Sequence, residues 1–180
     1  MNSLPLNHYN LIWNSFLASS KRHLLITGSR GSGKSTFIKF ILGQGIDCVG
    51  IITRAIRNSG NFPDYVLLED MNNPSVNDVI GVKKPWGDGI LPRIEGFEET
   101  GVKILSRCLE NKSEWVVIDE IGFLEGSAPA YQAAIRSCLG NKRVIAALRK
   151  DNRPFLDELK SRRDVFLTDM DILTDGAGRS

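Results

Sequence analysis

The chain has 180 residues, a formal net charge of +2 and 42% apolar residues, which is the composition of an ordinary soluble globular domain. Charges of both signs are spread along the sequence without a basic stripe, so the composition argues against binding to nucleic acid or to a membrane surface. The three cysteines form no zinc-binding or disulfide pattern, and no apolar run approaches the roughly 18 residues of a membrane-spanning helix. We therefore expect residues 1–180 to form a single domain in the reducing cytoplasm.

Apolar periodicity predicts strands and helices that alternate along most of the chain. In chain order the predicted elements are a helix at 7–20, a strand at 23–27, a helix at 36–42, strands at 46–54, 65–69 and 79–82, a helix at 95–109, a strand at 115–119, a helix at 130–139, a strand at 143–148, a helix at 154–160 and a strand at 165–168. A turn signal at 58–61 predicts a small antiparallel excursion. The alternation predicts an α/β fold of three layers, with a mostly parallel central sheet and helices on both faces.

The connections between these elements carry weaker signals. Residues 70–93 are rich in turn residues and are predicted to be the least regular part of the chain. Gly140 is predicted to end the helix before it, and Asn152 to cap the helix after it. Trp86 is interpreted as a residue at the edge of the core, with stacking on a nucleobase as the alternative. Residues 171–180 are predicted to fray.

The strongest motif lies between the first strand and the second helix. Residues 28–36 fit the pattern G-x-x-x-x-G-K-[ST] of a phosphate-binding P-loop, whose glycines let successive N–H groups converge on one anion. Lys34 brings a positive charge to the β- and γ-phosphates, and Ser35 offers a hydroxyl ligand to Mg²⁺. The segment predicts binding of a nucleoside triphosphate such as ATP or GTP. Its nine candidate residues are Gly28, Ser29, Arg30, Gly31, Ser32, Gly33, Lys34, Ser35 and Thr36.

Acidic residues at the end of a later strand predict the second half of the site. Asp119 and Glu120 end the apolar strand at 115–119, and ligand groups gather at the carboxyl ends of parallel strands. Asp119 is predicted to hold Mg²⁺ opposite Ser35, and Glu120 to activate the attacking water. Solvated strand-end acids are the alternative interpretation. Glu125 either supports this site or caps the next helix.

Basic residues near predicted strand ends are candidates for contact with the transferred phosphoryl group. Arg54 ends the strand at 46–54 and Arg57 lies three residues after it, whereas Arg149 and Lys150 follow the strand at 143–148. We select Arg57 as the catalytic candidate among them. Solvation at the surface is the competing interpretation for each.

The sequence resembles the THEP1-type nucleoside-triphosphatases over roughly residues 22–168. The segment at 117–125, VIDEIGFLE, is similar to the family's DEIGKMEL, and the segment at 50–57, GIITRAIR, is similar to GFYTEEVR with Thr53 and Arg57 at matching positions. Phe123 stands where the family has a lysine. The resemblance implies hydrolysis of nucleoside triphosphates to diphosphate and phosphate, with Mg²⁺ and broad base tolerance. It also implies a RecA-like sheet in which one strand separates the first strand from the Asp119 strand, and it makes Glu120 the water-activating acid.

Two other functions are compatible with a P-loop, because fold does not fix function. One is a small-molecule kinase, for which residues 149–153 are the best candidate for a basic lid. The other is a nucleotide-dependent switch whose slow hydrolysis resets an unidentified protein partner. Acceptor-dependent formation of ADP would distinguish the kinase, and nucleotide-dependent association with a protein would distinguish the switch.

Overall fold

The structure, a computed structural model, describes residues 6–58 and 63–172. Its strands are β1 (His23–Gly28), β2 (Cys48–Ile56), β3 (Tyr65–Asp70), β4 (Asn77–Lys83), β5 (Ile90–Pro92), β6 (Trp115–Ile121), β7 (Arg143–Arg149) and β8 (Val165–Asp169). Its α-helices are α1 (Leu6–Ala18), α2 (Lys34–Leu42), α3 (Ile94–Gly96), α4 (Val102–Glu110), α5 (Pro129–Asn141) and α6 (Pro154–Lys160). A π-helical turn, Phe97–Gly101, joins α3 to α4, and a 3₁₀ turn, Leu124–Ser127, precedes α5.

The eight strands form one sheet in the order β5-β4-β3-β2-β6-β7-β1-β8. The five strands from β2 to β8 in this order are parallel, whereas β3, β4 and β5 extend the sheet by antiparallel pairing. Strand β7 lies between β1 and β6, as the RecA-like resemblance implies. Both the mostly parallel sheet and the antiparallel excursion are therefore confirmed.

Alternate residues of the central strands point to opposite faces of the sheet and build two cores. On one face, Leu24, Ile26 and Val117 pack with the buried sides of α1 and α2. On the other face, Leu25 and Val116 pack with α4, α5 and α6. Helices thus cover both faces of the sheet, as predicted. The carboxyl edge of the parallel strands is left open for polar and charged side chains. No helix within the described ranges is long and apolar enough to cross a membrane.

Several predicted boundaries shift because contacts between elements override local signals. Gly140 lies inside α5 rather than ending it, and the helix ends where Lys142 N–H donates to Cys138 O at 2.8 Å. Asn152 is not the cap of α6, since Arg153 occupies that position without a side-chain cap. Both predictions were wrong. The predicted turn at 58–61 and the predicted fraying of 171–180 lie mostly outside the described residues.

The segment at 70–93 is more regular than its composition indicates. It contains β4, which extends the predicted strand at 79–82 by three residues, and β5, which was not predicted. Strand β4 pairs with β3, and β5 pairs with β4, so both strands are formed by contacts with other parts of the chain. Trp86 in this segment is 83% exposed, so its placement at the core edge was wrong.

Candidate active site

A cavity of about 950 Å³ runs along the edge of the sheet from the P-loop (residues 28–36) toward β5. One end is lined by every P-loop residue except Ser32, and the acidic end of β6 follows. The far end is lined mainly by apolar residues, namely Ala55, Pro63, Val66, Ile80, Ile90 and Leu124. The cavity therefore has a phosphate-loop end and an apolar end, with Glu120 between them.

The backbone of the P-loop has the conformation that its glycines allow. Gly31 and Gly33 have φ values of +82° and +96°, which side chains other than glycine rarely adopt. Helix α2 begins directly after Gly33, so its first N–H groups face the loop. Among the described residues, the buried hydroxyl of Ser32 has no hydrogen-bond partner. The loop thus offers N–H groups, a hydroxyl and a helix dipole to an anion.

Ser35 and Asp119 meet across the cavity although 84 residues separate them. Ser35 Oγ donates to Asp119 Oδ1 at 3.1 Å. The Asp119 carboxyl is only 9% exposed, and this burial raises its pKa while the Ser35 hydrogen bond opposes the rise. The contact joins the first turn of α2 to the end of β6 and brings together the two residues predicted to bind the metal.

These two side chains form a ligand set that fits Mg²⁺. A hydroxyl and a carboxylate are hard oxygen ligands, and Mg²⁺ commonly takes few protein ligands because substrate phosphates and water supply the others. In the described part of the chain, no group of three or more His, Cys, Asp or Glu side chains could hold a metal. The Ser35–Asp119 pair is therefore the best candidate for a metal site in these ranges.

Glu120 lies between two cationic side chains. Lys34 Nζ lies 3.6 Å from Glu120 Oε2, and Arg149 Nε lies 3.8 Å from Glu120 Oε1. Glu120 N–H donates to Thr53 Oγ1 at 3.2 Å, which fixes the backbone of the acid against β2. Lys34 Nζ also donates to Gly28 O at 2.9 Å. The structure thus brings the predicted water-activating acid next to the predicted phosphate-binding lysine.

Glu125 supports the loop that follows Glu120 and does not cap α5. Its Oε2 accepts a hydrogen bond from Gly122 N–H at 2.9 Å, and burial raises the pKa of its carboxyl to about 7. The first N–H groups of α5, at Ala130 and Tyr131, donate instead to Oε1 of one carboxylate in the π-helical turn. That carboxylate belongs to Glu98, which sequence reasoning did not assign to this role.

The basic candidates are distributed unequally around the cavity. Arg149 lines it and lies over the ring of Phe123, with 4.9 Å from Cζ to the ring centre. Arg54 lies within β2 and pairs with Glu69. Arg57 follows β2, is exposed and is absent from the residues that line the cavity. Of the arginines considered from sequence, the structure brings Arg149 to the acidic pair.

Sequence reasoning missed a polar network behind the P-loop. The carboxylate of Asp171 accepts hydrogen bonds from Ser29 N–H at 2.9 Å and from Ser29 Oγ at 2.8 Å. Lys150 Nζ lies 2.9 Å from carboxylate oxygens of both Asp169 and Asp171. Asp169 ends β8, which flanks β1, and Asp171 lies two residues further on, so the rule that drew attention to Asp119 could have identified them.

Comparison with known proteins gives one family and several relatives. A family model described as NTPase matches residues 23–174. A protein named nucleoside-triphosphatase THEP1 from Thermotoga sp. (strain RQ2) is 26% identical over 149 residues, which cover 82% of this chain and 85% of the relative. The protein of the same name from Thermofilum pendens is 26% identical over 160 residues, covering 81% of this chain and 85% of the relative. The resemblance stated from sequence is confirmed.

A solved structure supports the same fold. The crystal structure of THEP1 from the hyperthermophile Aquifex aeolicus matches with a TM-score of 0.66 and 22% sequence identity. The match covers 85% of this chain and 95% of that chain. The predicted P-loop NTPase fold is therefore confirmed.

Proposed function

The chain belongs to the NTPase family, whose model matches residues 23–174, and is therefore a nucleoside-triphosphate hydrolase; we propose that it acts on ATP and GTP among other substrates and depends on Mg²⁺. The observation that carries the proposal is a pair of contacts at one end of the cavity. Ser35 Oγ lies 3.1 Å from Asp119 Oδ1, and Lys34 Nζ lies 3.6 Å from Glu120 Oε2. These contacts bring phosphate-binding, metal-binding and water-activating groups within reach of one triphosphate.

In the proposed site the P-loop N–H groups, its side chains and Lys34 bind the triphosphate. Ser35 and Asp119 would hold Mg²⁺, which would supply positive charge to the triphosphate. Lys34 leaves its carbonyl partners in the loop and contacts phosphate oxygens. The Lys34 ammonium, which binds the terminal phosphates, lies beside Glu120. The γ-phosphate therefore points toward Glu120, and the nucleoside points away from it.

Glu120 accepts a hydrogen bond from a water molecule and takes its proton as the water oxygen attacks the γ-phosphorus. The bond from that phosphorus to the bridging oxygen breaks, and the electron pair remains on the nucleoside diphosphate. Thr53 keeps Glu120 in position through the backbone hydrogen bond described above. A role for Arg57 in stabilising the transferred phosphoryl group stays a prediction.

Phosphate release from ATP, GTP, CTP and UTP tests the proposal directly. We expect release from several of the four in the presence of Mg²⁺ and its loss when EDTA is added, because the ligand set fits that ion. Lys34→Ala should lower kcat/KM by about 10³-fold, since it removes a buried cation from the phosphate site. Lys103→Ala, which changes an exposed lysine of α4 that does not line the cavity, should leave kcat/KM unchanged. No release from any of the four would contradict the proposal.

A small-molecule kinase is the second candidate, and the apolar end of the cavity favours it. Ala55, Val66 and Ile90 lie beyond Glu120, on the side away from the proposed nucleoside position, where an acceptor molecule could lie. A kinase would form ADP only when an acceptor is added, with little basal release of phosphate. Strong release in buffer alone favours the hydrolase.

Three further proposals extend beyond the site. Residues 1–180 form one domain, the protein acts in the cytoplasm, and any protein partner associates in a nucleotide-dependent way. Limited proteolysis, cell fractionation and affinity capture with and without a non-hydrolysable ATP analogue test these in turn.

A further inference from the structure

The Arg149 side chain contacts an acid, Glu120, and an aromatic ring, Phe123, within the cavity. Its Nε lies 3.8 Å from Glu120 Oε1, and its Cζ lies 4.9 Å from the centre of the Phe123 ring. The side chain remains 37% exposed and lines the cavity. The guanidinium is therefore oriented by an acid and an aromatic ring while still being reachable by a ligand.

The sheet fixes the position of Arg149 between the two halves of the site. It ends β7, the strand between the P-loop strand and the acidic strand, and its register partner in β1 is Gly28. Lys34 and Arg149 approach different oxygens of the same Glu120 carboxylate. A phosphoryl group attacked by a water bound to Glu120 thus comes within reach of both cations.

We propose that Arg149 is a catalytic residue, which contacts the γ-phosphoryl group and stabilises the charge that develops on it, and that Phe123 is the positioning residue that holds it. The proposal rests on the proposed hydrolysis and adds an arginine supplied by the chain itself. A guanidinium suits this role because its planar array of donors matches phosphoryl oxygens. The ring of Phe123 shields one face of the guanidinium from water and limits its rotamers.

Steady-state hydrolysis of ATP by Arg149→Ala is the first test. We expect kcat to fall by about 10²-fold with KM changed less than about threefold, because the lost contact strengthens in the transition state. The kcat of Arg149→Lys should lie between those of wild type and Arg149→Ala, because lysine keeps the charge but lacks the planar array of donors. Arg149→Gln, which keeps a polar side chain and removes the charge, replaces the alanine variant if that variant does not fold.

Rescue experiments separate charge from structure. Added guanidinium ion, at a concentration that does not denature the protein, should raise kcat of Arg149→Ala, whereas sodium chloride at equal ionic strength should not. Phe123→Lys in the Arg149→Ala background should recover about 10-fold, because an ammonium then lies beside Glu120. Phe123→Leu alone should lower kcat about threefold through loss of the cation–π contact.

A second arginine–phenylalanine contact, outside the cavity, provides a matched control for Arg149→Ala. Arg136 Cζ lies 4.9 Å from the ring centre of Phe155 and pairs with Glu158, but these residues do not line the cavity. Arg136→Ala should lower the unfolding temperature and leave kcat unchanged. A change of kcat in Arg136→Ala as large as in Arg149→Ala would show that the effect is general destabilisation and would overturn the proposal.

Two further outcomes overturn the inference while leaving the hydrolase intact. One is a kcat of Arg149→Ala, or of the glutamine variant, within threefold of wild type while Glu120→Gln is inactive. The other is a large loss of kcat that neither guanidinium nor Phe123→Lys relieves. If the wild-type protein releases no phosphate at all, the proposed function itself fails, so the two failures are distinguishable.

Discussion

The two ends of the cavity are built by different kinds of chain pairing. At the phosphate-loop end, β1, β6 and β7 are parallel, and their carboxyl ends bring Gly28, Asp119 and Arg149 to one edge. At the apolar end, the antiparallel strands β3, β4 and β5 supply side chains such as Val66 and Ile90. The groups at the parallel end lie at the carboxyl ends of their strands, whereas Val66 and Ile90 lie near the starts of theirs.

The two ends of the cavity therefore have different proposed roles: the phosphate-loop end carries out hydrolysis, and the apolar end contacts the organic part of a ligand. Charged and hydrogen-bonding groups, which hydrolysis needs, concentrate at the phosphate-loop end. The apolar end offers surface for burying an organic group. Among the described residues that line it, there is no hydroxyl–carboxylate pair comparable with Ser35 and Asp119. We therefore expect substitutions at the first end to change kcat and substitutions at the second to change the range of ligands.

Among the variants that compare the two ends of the cavity, Asp119→Asn should have the largest effect on catalysis. Replacing the carboxylate removes an anionic ligand from the proposed Mg²⁺ site, so kcat should fall by about 10²- to 10³-fold and the Mg²⁺ requirement should rise. Phosphate release measured over a Mg²⁺ titration tests this. Asp157→Asn, at a carboxylate that is 56% exposed on α6, should behave as wild type. An unchanged Mg²⁺ titration for Asp119→Asn would remove Asp119 from the metal site.

Gly50→Ala tests the pairing of β2 with β6, which joins the two ends of the cavity. A Cβ at Gly50 would lie 2.0 Å from Val117 O, so the strands must separate and the free energy of unfolding should fall by about 3 kcal/mol. Gly140→Ala is the matched control, because a Cβ there meets nothing within 4 Å, and it should stabilise α5 by about 0.5 to 1 kcal/mol. Urea denaturation of both variants measures the contrast, and equal stabilities would contradict it.

Glu125→Gln should change stability in a pH-dependent way. Burial raises the pKa of this carboxyl to about 7, with Glu120 and Tyr131 as neighbouring acidic groups, Arg149 as a cation and Gly122 N–H as donor. A raised pKa means that wild-type stability is complete below about pH 4.5 and is lost as pH rises through 7. The variant does not titrate there, so it should be more stable than wild type at pH 8, by about 1 to 3 kcal/mol, and similar at pH 5.

Glu158→Gln gives the opposite sign and serves as the control for that pH profile. The hydrogen bond from Arg136 lowers the pKa of the Glu158 carboxyl, so its stabilisation is present at neutral pH and lost in acid. Its glutamine variant should therefore be less stable than wild type at pH 8. Thermal unfolding from pH 4 to pH 9 records both profiles, and parallel curves for wild type and Glu125→Gln would contradict the assignment of a raised pKa.

Ala55→Phe should have the smallest effect on hydrolysis. The exposed Ala55 side chain lines the apolar end, and a phenyl ring there fills part of that end without reaching the P-loop. We expect kcat and KM for ATP to stay within about threefold of wild type, because the triphosphate contacts lie elsewhere. A large rise in KM would mean that the nucleobase occupies the apolar end, and would reverse the proposed direction of the nucleotide.

Much of the phosphate-loop end could be predicted from sequence because its signals are local. Residues 28–36 carry their own backbone preferences, and Asp119 with Glu120 follows an apolar run whose length and composition predict a buried strand. Parallel pairing, in the strand order that the family resemblance implies, then brings these segments to one edge of the sheet. Their proximity in the structure follows from strand direction, as the Ser35–Asp119 distance illustrates.

The apolar end could not be predicted in the same way. Strand β5 has three residues and no periodicity, and it exists because Gly81 and Lys83 of β4 pair with it. The contact of Arg149 with Phe123 likewise joins segments 26 residues apart, and no spacing rule indicates it. Glu98 reaches the start of α5 from a π-helical turn, whose irregular geometry is invisible to a helical pattern. Long-range packing decides each of these features.

In the proposed mechanism Glu120 activates water at a site that binds nucleotide without it. Phosphate release and nucleotide binding by Glu120→Gln, measured on the same preparation, test this role. We predict that the dissociation constant for Mg²⁺-ATP stays within about threefold of wild type while kcat falls by about 10³-fold, because the amide keeps the shape of the site and cannot accept the proton. Hydrolysis by Glu120→Gln at the wild-type rate would contradict the account.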